Sequence, residues 1–297
     1  MITKNDVIST YKALFDHESE NELAIKNQLK SHETIESLIR GIKNSFEFKN
    51  KYLKENIPQK VIIYIHIPKT AGTFLRTAWL LNNVQRYWWS DEKRPFPQVS
   101  NFYKDHIIAS SYQLIGGHLD ISSYLNMKII QPKVFLNVLR EPKDRIISYY
   151  NHLKNKDKSH PLHKLAKEHT LYELLKSKGK FYQVVLNEQI RYLIANKATL
   201  ERFSDRDILI VGRQDKIDQF VEASCKLIGF SNGIGKGDAN SAAKGYEKNI
   251  KAEPDFDKAL KIIEEMIQKE NELYNMIDSV LVMNKSEYME FVQRFNQ

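Results

Sequence analysis

The sequence contains a single cysteine, Cys225, in 297 residues. No disulfide can therefore form within the chain, and a cysteine-based zinc site is not expected. No apolar run approaches the roughly 18 residues that a membrane-spanning helix needs. The first ten residues, MITKNDVIST, also lack the apolar core of a secretory signal. These absences favour a soluble globular protein without a membrane span, which we expect to be cytoplasmic.

Acidic residues are outnumbered by basic ones, 37 to 45, which gives a formal net charge of +8 at pH 7. This balance favours anionic ligands such as a nucleotide, an acidic glycan or nucleic acid, although solubility alone would also explain it. The lysines are scattered rather than clustered, so charge by itself does not identify a nucleic-acid partner, and none is expected.

The stretch VIIYIHIPKTAGTFLRTA, from Val61 to Ala78, joins a short apolar strand to a helix through a tight turn. The N–H groups and positive dipole end at the start of a helix favour an anion. Gly72 lets the backbone approach a ligand closely, and Lys69 adds a mobile charge. An ordinary turn with a chance lysine is the alternative. The predicted anion-binding residues are Lys69, Thr70, Ala71, Gly72, Thr73 and Phe74.

A second predicted phosphate site lies in the stretch VLREPKDRIISYYNHL. Arg140 follows an apolar strand, and Ser148 comes eight residues later, about two turns into the next helix. The planar fork of arginine suits paired, charge-assisted hydrogen bonds to one phosphate. Alternatively, Arg140 caps its own helix and Ser148 packs against a backbone carbonyl.

Both loops resemble those of a known enzyme family. The run I-P-K-T-A-G-T, in which the lysine precedes the glycine, is unlike a Walker A loop. It resembles the 5′-phosphosulfate loop of sulfotransferases that use 3′-phosphoadenosine-5′-phosphosulfate (PAPS), and R-E-P-x-x-R-x-x-S resembles their 3′-phosphate site. The carbohydrate branch, typified by heparan sulfate 2-O- and 6-O-sulfotransferases, is the most similar. The resemblance implies PAPS as co-substrate and adenosine 3′,5′-bisphosphate as product. A metal is not expected, because no cluster of ligand residues stands out in the sequence.

An alcohol acceptor needs a base to take its proton as the oxygen–sulfur bond forms. His118, in Gly116-Gly117-His118-Leu119, is the leading candidate, because this run resembles the H-G-H segment that carries the base in 2-O-sulfotransferases. Gly116 stands where that family has its first histidine. A structural histidine is the alternative, and the rival bases are His66, His106 and His152. Lys69 is expected to assist catalysis by stabilising the leaving phosphate and the sulfuryl oxygens.

Three further segments bear on the site and the fold. The N-x-Q-x-R-x-L run from Asn187 to Leu193 and the E-N-E-x-Y run from Glu270 to Tyr274 resemble family motifs. On the late basic loop, Lys244 and Lys248 are expected to contact the nucleotide, although a plain solvated loop is equally compatible with the sequence. Residues 88–97 are predicted to be a loop, and residues 254–295 to be closing helices.

Strands that alternate with helices predict an α/β fold, a P-loop-like parallel sheet flanked by helices, as in sulfotransferases. Residues 1–57 are expected to form an N-terminal helical module, and residues 58–297 the sulfotransferase domain. The N-terminal segment resembles a helical module found ahead of bacterial enzymes of surface-glycan assembly. The acceptor is therefore expected to be a glycan hydroxyl, with an anionic glycan, a small molecule or a lipid alcohol left open.

Two other classes of function remain as alternatives at this point. A P-loop kinase is disfavoured by the order of the lysine and glycine and by the missing Walker A spacing. A non-catalytic protein that binds nucleotides or glycans would have no need of a base, so the role of His118 discriminates such a protein from a sulfotransferase.

Overall fold

The computed structural model describes residues 2–15, 22–43, 58–90, 98–231, 233–234 and 252–296. Its strands are β1 (Val61–Ile65), β2 (Tyr87–Trp89), β3 (Leu114–Gly117), β4 (Lys133–Leu139), β5 (Ile208–Arg213) and β6 (Val280–Met283). They form a six-stranded sheet in the order β2-β3-β1-β4-β5-β6. The first five strands in this order are parallel, and β6 runs antiparallel to β5.

Helices pack around this sheet, which confirms the predicted α/β fold. Those in the described residues are α1 (Lys4–Phe15), α2 (Glu22–Ser31), α3 (Ile35–Lys43), α4 (Gly72–Ala78), α5 (Val99–Lys104), α6 (His106–Ser110), α7 (Ile121–Leu125), α8 (Pro142–Asn155), α9 (His163–Glu168), α10 (Leu171–Lys176), α11 (Lys180–Val185), α12 (Glu188–Leu193), α13 (Lys197–Leu200), α14 (Ile217–Ile228), α15 (Phe256–Met266), α16 (Gln268–Met276) and α17 (Lys285–Phe295). No helix in the described ranges is long and apolar enough to span a bilayer.

Two strands differ from the sequence-based expectation. The loop predicted at Trp88 and Trp89 is wrong for these residues, which belong to β2 and have buried side chains. Trp88 packs on Phe102 with ring centroids 4.7 Å apart. Trp89 covers Gly116, where a Cβ would lie 2.4 Å from the indole ring. The prediction of helices throughout 254–295 is also wrong, because the apolar run VLVM of β6 pairs with β5 at the sheet edge.

The sheet is buried on both faces, which explains the continuous apolar runs of its central strands. Alternate residues of β1 enter different cores, as the period of two in a strand requires. Ile63 and Ile65 pack in a cluster that includes Phe291 of α17. Ile62 and Tyr64 face the opposite side, in a cluster that includes Phe220 of α14.

The topology brings three chain segments together at the carboxyl-terminal ends of the parallel strands. Because β3, β1 and β4 are adjacent and parallel, their carboxyl ends are neighbours. His118 follows β3, His66 follows β1 and Arg140 follows β4. In open α/β sheets ligands bind beyond these strand ends, so the candidate residues converge where a ligand is expected.

The three N-terminal helices have a small core of their own. It consists of buried Val7, Ile25, Leu38 and Ile42. The boundary expected between residues 57 and 58 adjoins a segment outside the described residues, so the division into two domains stays a prediction.

Candidate active site

The loop between β1 and α4 has an unusual backbone. Lys69 and Ala71 both adopt the left-handed conformation, each with φ of 71°. This conformation is uncommon for residues other than glycine and is found at functional turns. Gly72 then begins α4, and a Cβ at this position would lie 1.9 Å from Cδ2 of His66. Glycine is therefore required because the buried imidazole occupies the space of any larger side chain.

A cavity of about 1180 Å³ opens beside this loop. Every described site residue that the sequence predicted lines it, except Thr70: Lys69, Ala71, Gly72, Thr73, Phe74, His118, Arg140 and Ser148. The Thr70 hydroxyl is buried and donates to the carbonyl of Ile67 over 3.0 Å, so it braces the loop from inside. Lys244 and Lys248 lie outside the described residues.

The loop between β1 and α4 lies among positively charged side chains. Nη1 of Arg140 lies 3.5 Å from the Lys69 carbonyl oxygen, which connects the two predicted phosphate sites. Burial, followed by the positive charges of Lys156 and Arg140, lowers the pKa of the Lys69 ammonium to about 8. Burial and the repulsion between neighbouring cations both raise the free energy of the charged side chains. An anionic ligand offsets this cost, so the site favours one.

His118 is held in a defined tautomer. Its Nδ1 lies 2.7 Å from the carbonyl oxygen of His66, and since a carbonyl only accepts, Nδ1 carries the proton in the neutral ring. The lone pair that can accept a proton is then on Nε2. The backbone N–H of His118 donates to Oγ of Ser90 over 3.0 Å, which fixes the end of β3. This arrangement suits a general base.

The ring of His66 stacks on the ring of His118, with centroids 4.1 Å apart and planes inclined by 27°. His66 is buried at the end of its strand, as expected from the sequence. Burial, and then the proximity of His118, lower the pKa of His66 to about 3. His66 therefore stays neutral at working pH and is a much weaker base than an ordinary imidazole.

Sequence reasoning missed much of the cavity wall. The lining residues that were not predicted include Lys156, His160, Lys178 and Lys180; of the rival bases, His66 and His152 line the cavity, whereas His106 does not. The helical period of α8 was the available signal, since Ser148 and His152 are four residues apart on one face, and Lys156 directly follows the end of the helix. Lys178 and Lys180 lie on a different segment, and no local pattern indicates where they point.

Metal ligands are not grouped in the described ranges, where no three or more His, Cys, Asp or Glu side chains could hold an ion together. A search of curated proteins returned no match. A family model described as Sulfotransferase family matches residues 57–207, just over half of the chain. The matched region includes the Lys69 loop, His118, Arg140 and Ser148, and we conclude that the chain belongs to the sulfotransferase family.

Proposed function

We propose that this sulfotransferase moves a sulfuryl group from PAPS to a hydroxyl group of a glycan, with His118 as general base. One observation carries the proposal: the Lys69 loop, Arg140, Ser148 and His118 all line one cavity. The donor's two phosphate-bearing ends and the reacting hydroxyl have to meet in one such space. A kinase is not favoured, because the chain belongs to a different family.

The nucleotide would be held at both ends. The loop from Lys69 to Thr73 offers backbone N–H groups, a hydroxyl and a cation to the 5′-phosphosulfate. Arg140 and Ser148 would hold the 3′-phosphate through a guanidinium and a hydroxyl. The fit is supported by the position of Lys69, whose burial beside the positive charges of Lys156 and Arg140 lowers its pKa to about 8 and favours a bound anion.

The chemistry then follows from the position of each group. The acceptor oxygen attacks sulfur, the new oxygen–sulfur bond forms with inversion, and the bond from sulfur to the phosphate oxygen breaks. Nε2 of His118 takes the acceptor proton, and adenosine 3′,5′-bisphosphate leaves with the bonding electrons. Lys69 stabilises the negative charge that develops on the leaving phosphate.

The acceptor is proposed to be a glycan, and an anionic one fits best. Lys156, Lys178 and Lys180 line the same cavity as His118 and are not among the residues assigned to the nucleotide. Cations at these positions would attract carboxylate or sulfate groups on the chain of sugars.

Isothermal titration with PAPS, adenosine 3′,5′-bisphosphate and ATP tests the nucleotide assignment. Tight binding of the first two and weak binding of ATP is the expected result. Preference for ATP would contradict the proposal. A screen of acceptors with labelled PAPS comes next, and tight PAPS binding without transfer to any acceptor would favour a non-catalytic binding protein.

Nucleotide affinity is expected to fall as the pH rises above about 8. Lys69 is charged below this pKa, and a bound anion raises the pKa further by favouring the ammonium. The contribution of Lys69 is therefore complete below about 8 and is lost as the pH rises toward the pKa of the complex. Titrations with adenosine 3′,5′-bisphosphate at several pH values around the pKa of Lys69 measure this loss of affinity. The variant Lys69→Met should bind the nucleotide weakly, with little dependence on pH.

A protein that begins near Glu55 is expected to keep its affinity for PAPS, because the described residues that line the cavity all lie beyond the N-terminal helices. Titration of the truncated and the full-length protein measures this. An insoluble truncation, or one that no longer binds, would show that the N-terminal helices belong to the core.

A further inference from the structure

The carboxamide of Gln189 holds the backbone of Arg140 by two hydrogen bonds. Pairing between β4 and β5 ends at Leu139, opposite Arg213. One residue further, the backbone N–H of Arg140 donates to Oε1 of Gln189 over 2.9 Å, and Nε2 of Gln189 donates to the Arg140 carbonyl over 3.0 Å. The side chain thus gives Arg140 the donor and acceptor that a neighbouring strand gives to residues within the sheet.

Gln189 is itself fixed within the protein. Its side chain is buried, and its backbone N–H donates to Oε1 of Glu270 over 2.7 Å. Asn187 precedes α12 in a left-handed conformation and gives the helix no side-chain cap. The carboxylate of Glu270, from α16, supplies the acceptor that the first turn of α12 needs. The first turn of α12, which contains Gln189, is therefore held by Glu270, which is distant in the sequence, and not by a side-chain cap from the residue before the helix.

The same buried cluster holds the helix that carries Ser148. Arg145 of α8 is fully buried and forms an ion pair with Glu188. Its Nη2 lies 3.7 Å from Oε2 of Glu270 and donates to the carbonyl of Val185 over 2.9 Å. One cluster thus fixes both the strand end at Arg140 and the helix of Ser148.

We propose that Gln189 is a positioning residue for Arg140 and sets the preference of the site for a 3′-phosphorylated nucleotide. This inference rests on the proposed function, which assigns Arg140 to the 3′-phosphate. Charge-assisted hydrogen bonds need donor and acceptor at close range and weaken steeply when misaligned. A guanidinium on an unrestrained strand end would meet the phosphate less often in the required geometry.

The test compares two nucleotides in two variants. Gln189→Met removes both bonds to Arg140 with little change in size, and Gln189→Glu replaces the donor with a carboxylate oxygen that cannot bond the Arg140 carbonyl when ionised. For Gln189→Met, affinity for adenosine 3′,5′-bisphosphate should fall about tenfold, as expected for lost hydrogen bonds. Affinity for adenosine 5′-phosphate, which lacks the 3′ group, should hardly change. Gln189→Glu should show the same selective loss, and covers the case in which Gln189→Met does not fold.

Gln131→Met is the matched control. Its amide also donates to a buried backbone carbonyl, that of Ser110 over 2.7 Å, away from the residues that line the cavity. It should keep the wild-type ratio of the two affinities, and this ratio does not depend on the folded fraction of a sample. Equal losses for both nucleotides in the Gln189 variants, or no loss, would overturn the inference about Gln189 but not the proposed function. A wild-type protein without preference for the bisphosphate would overturn the proposed function as well.

Discussion

Replacing His118 with alanine is expected to lower the rate of sulfuryl transfer by about 10²- to 10⁴-fold, the usual contribution of a general base. Affinity for adenosine 3′,5′-bisphosphate should stay close to that of the wild type, because the base acts on the acceptor and not on the nucleotide. Steady-state kinetics and titration of the same preparations measure both effects.

His106→Ala is the matched control, because this histidine is exposed at the start of α6 and does not line the cavity. His66 and His152 are additional tests rather than controls, since both line the cavity. Near-normal turnover in His118→Ala, together with its loss in either of these, would assign the base elsewhere. Asp120 and Glu141 are weaker candidates, because both carboxylates already accept a backbone N–H at a helix start over 2.7 Å.

Arg140→Ala should weaken binding of adenosine 3′,5′-bisphosphate by about 1.5–3 kcal/mol, the range for a lost hydrogen bond to a charged group. The loss is larger than that expected for Gln189→Met, because the charge is removed and not merely displaced. Adenosine 5′-phosphate should bind almost as before. Calorimetric titration of both nucleotides gives the two free energies of binding.

Arg202→Ala provides the corresponding control for lost positive charge. Arg202 is exposed, donates to Oδ1 of Asn126 over 2.7 Å and does not line the cavity. Both nucleotides should bind to this variant as to the wild type. If Arg140→Ala weakened the two nucleotides equally, Arg140 would contact a shared part of them and its assignment to the 3′-phosphate would fail.

The central strands and the positions of the two candidate phosphate loops could be predicted because their signals are local. Parallel strands buried on both faces are continuous apolar runs, so β1 and β4 are visible in the sequence. The strand β2 is not, because it has only three residues and its neighbours are prolines and charges. The short run of β6 follows a helical pattern closely enough to be read as part of a helix.

The arrangement around His118 and Arg140 could not be predicted, because it depends on contacts between distant positions. His118 lies 52 residues from the His66 carbonyl that sets its tautomer. Gln189 lies 49 residues from Arg140. Neither a period nor a spacing rule connects such pairs, and the geometry follows from the order of strands in the sheet. Thr70 is a case in which a motif residue does not line the cavity, because its hydroxyl points into the protein interior.

The bond between Gln189 and Glu270 spans 81 residues of the chain. A ribosome adds residues at about 5–20 per second, so the carboxylate follows its partner by roughly 4–16 s. During this interval the nascent chain already contains the Lys69 loop, Arg140 and Ser148, but not the group that fixes the start of α12. The nucleotide preference proposed for Gln189 would thus be acquired late in synthesis, after most of the sheet has been made.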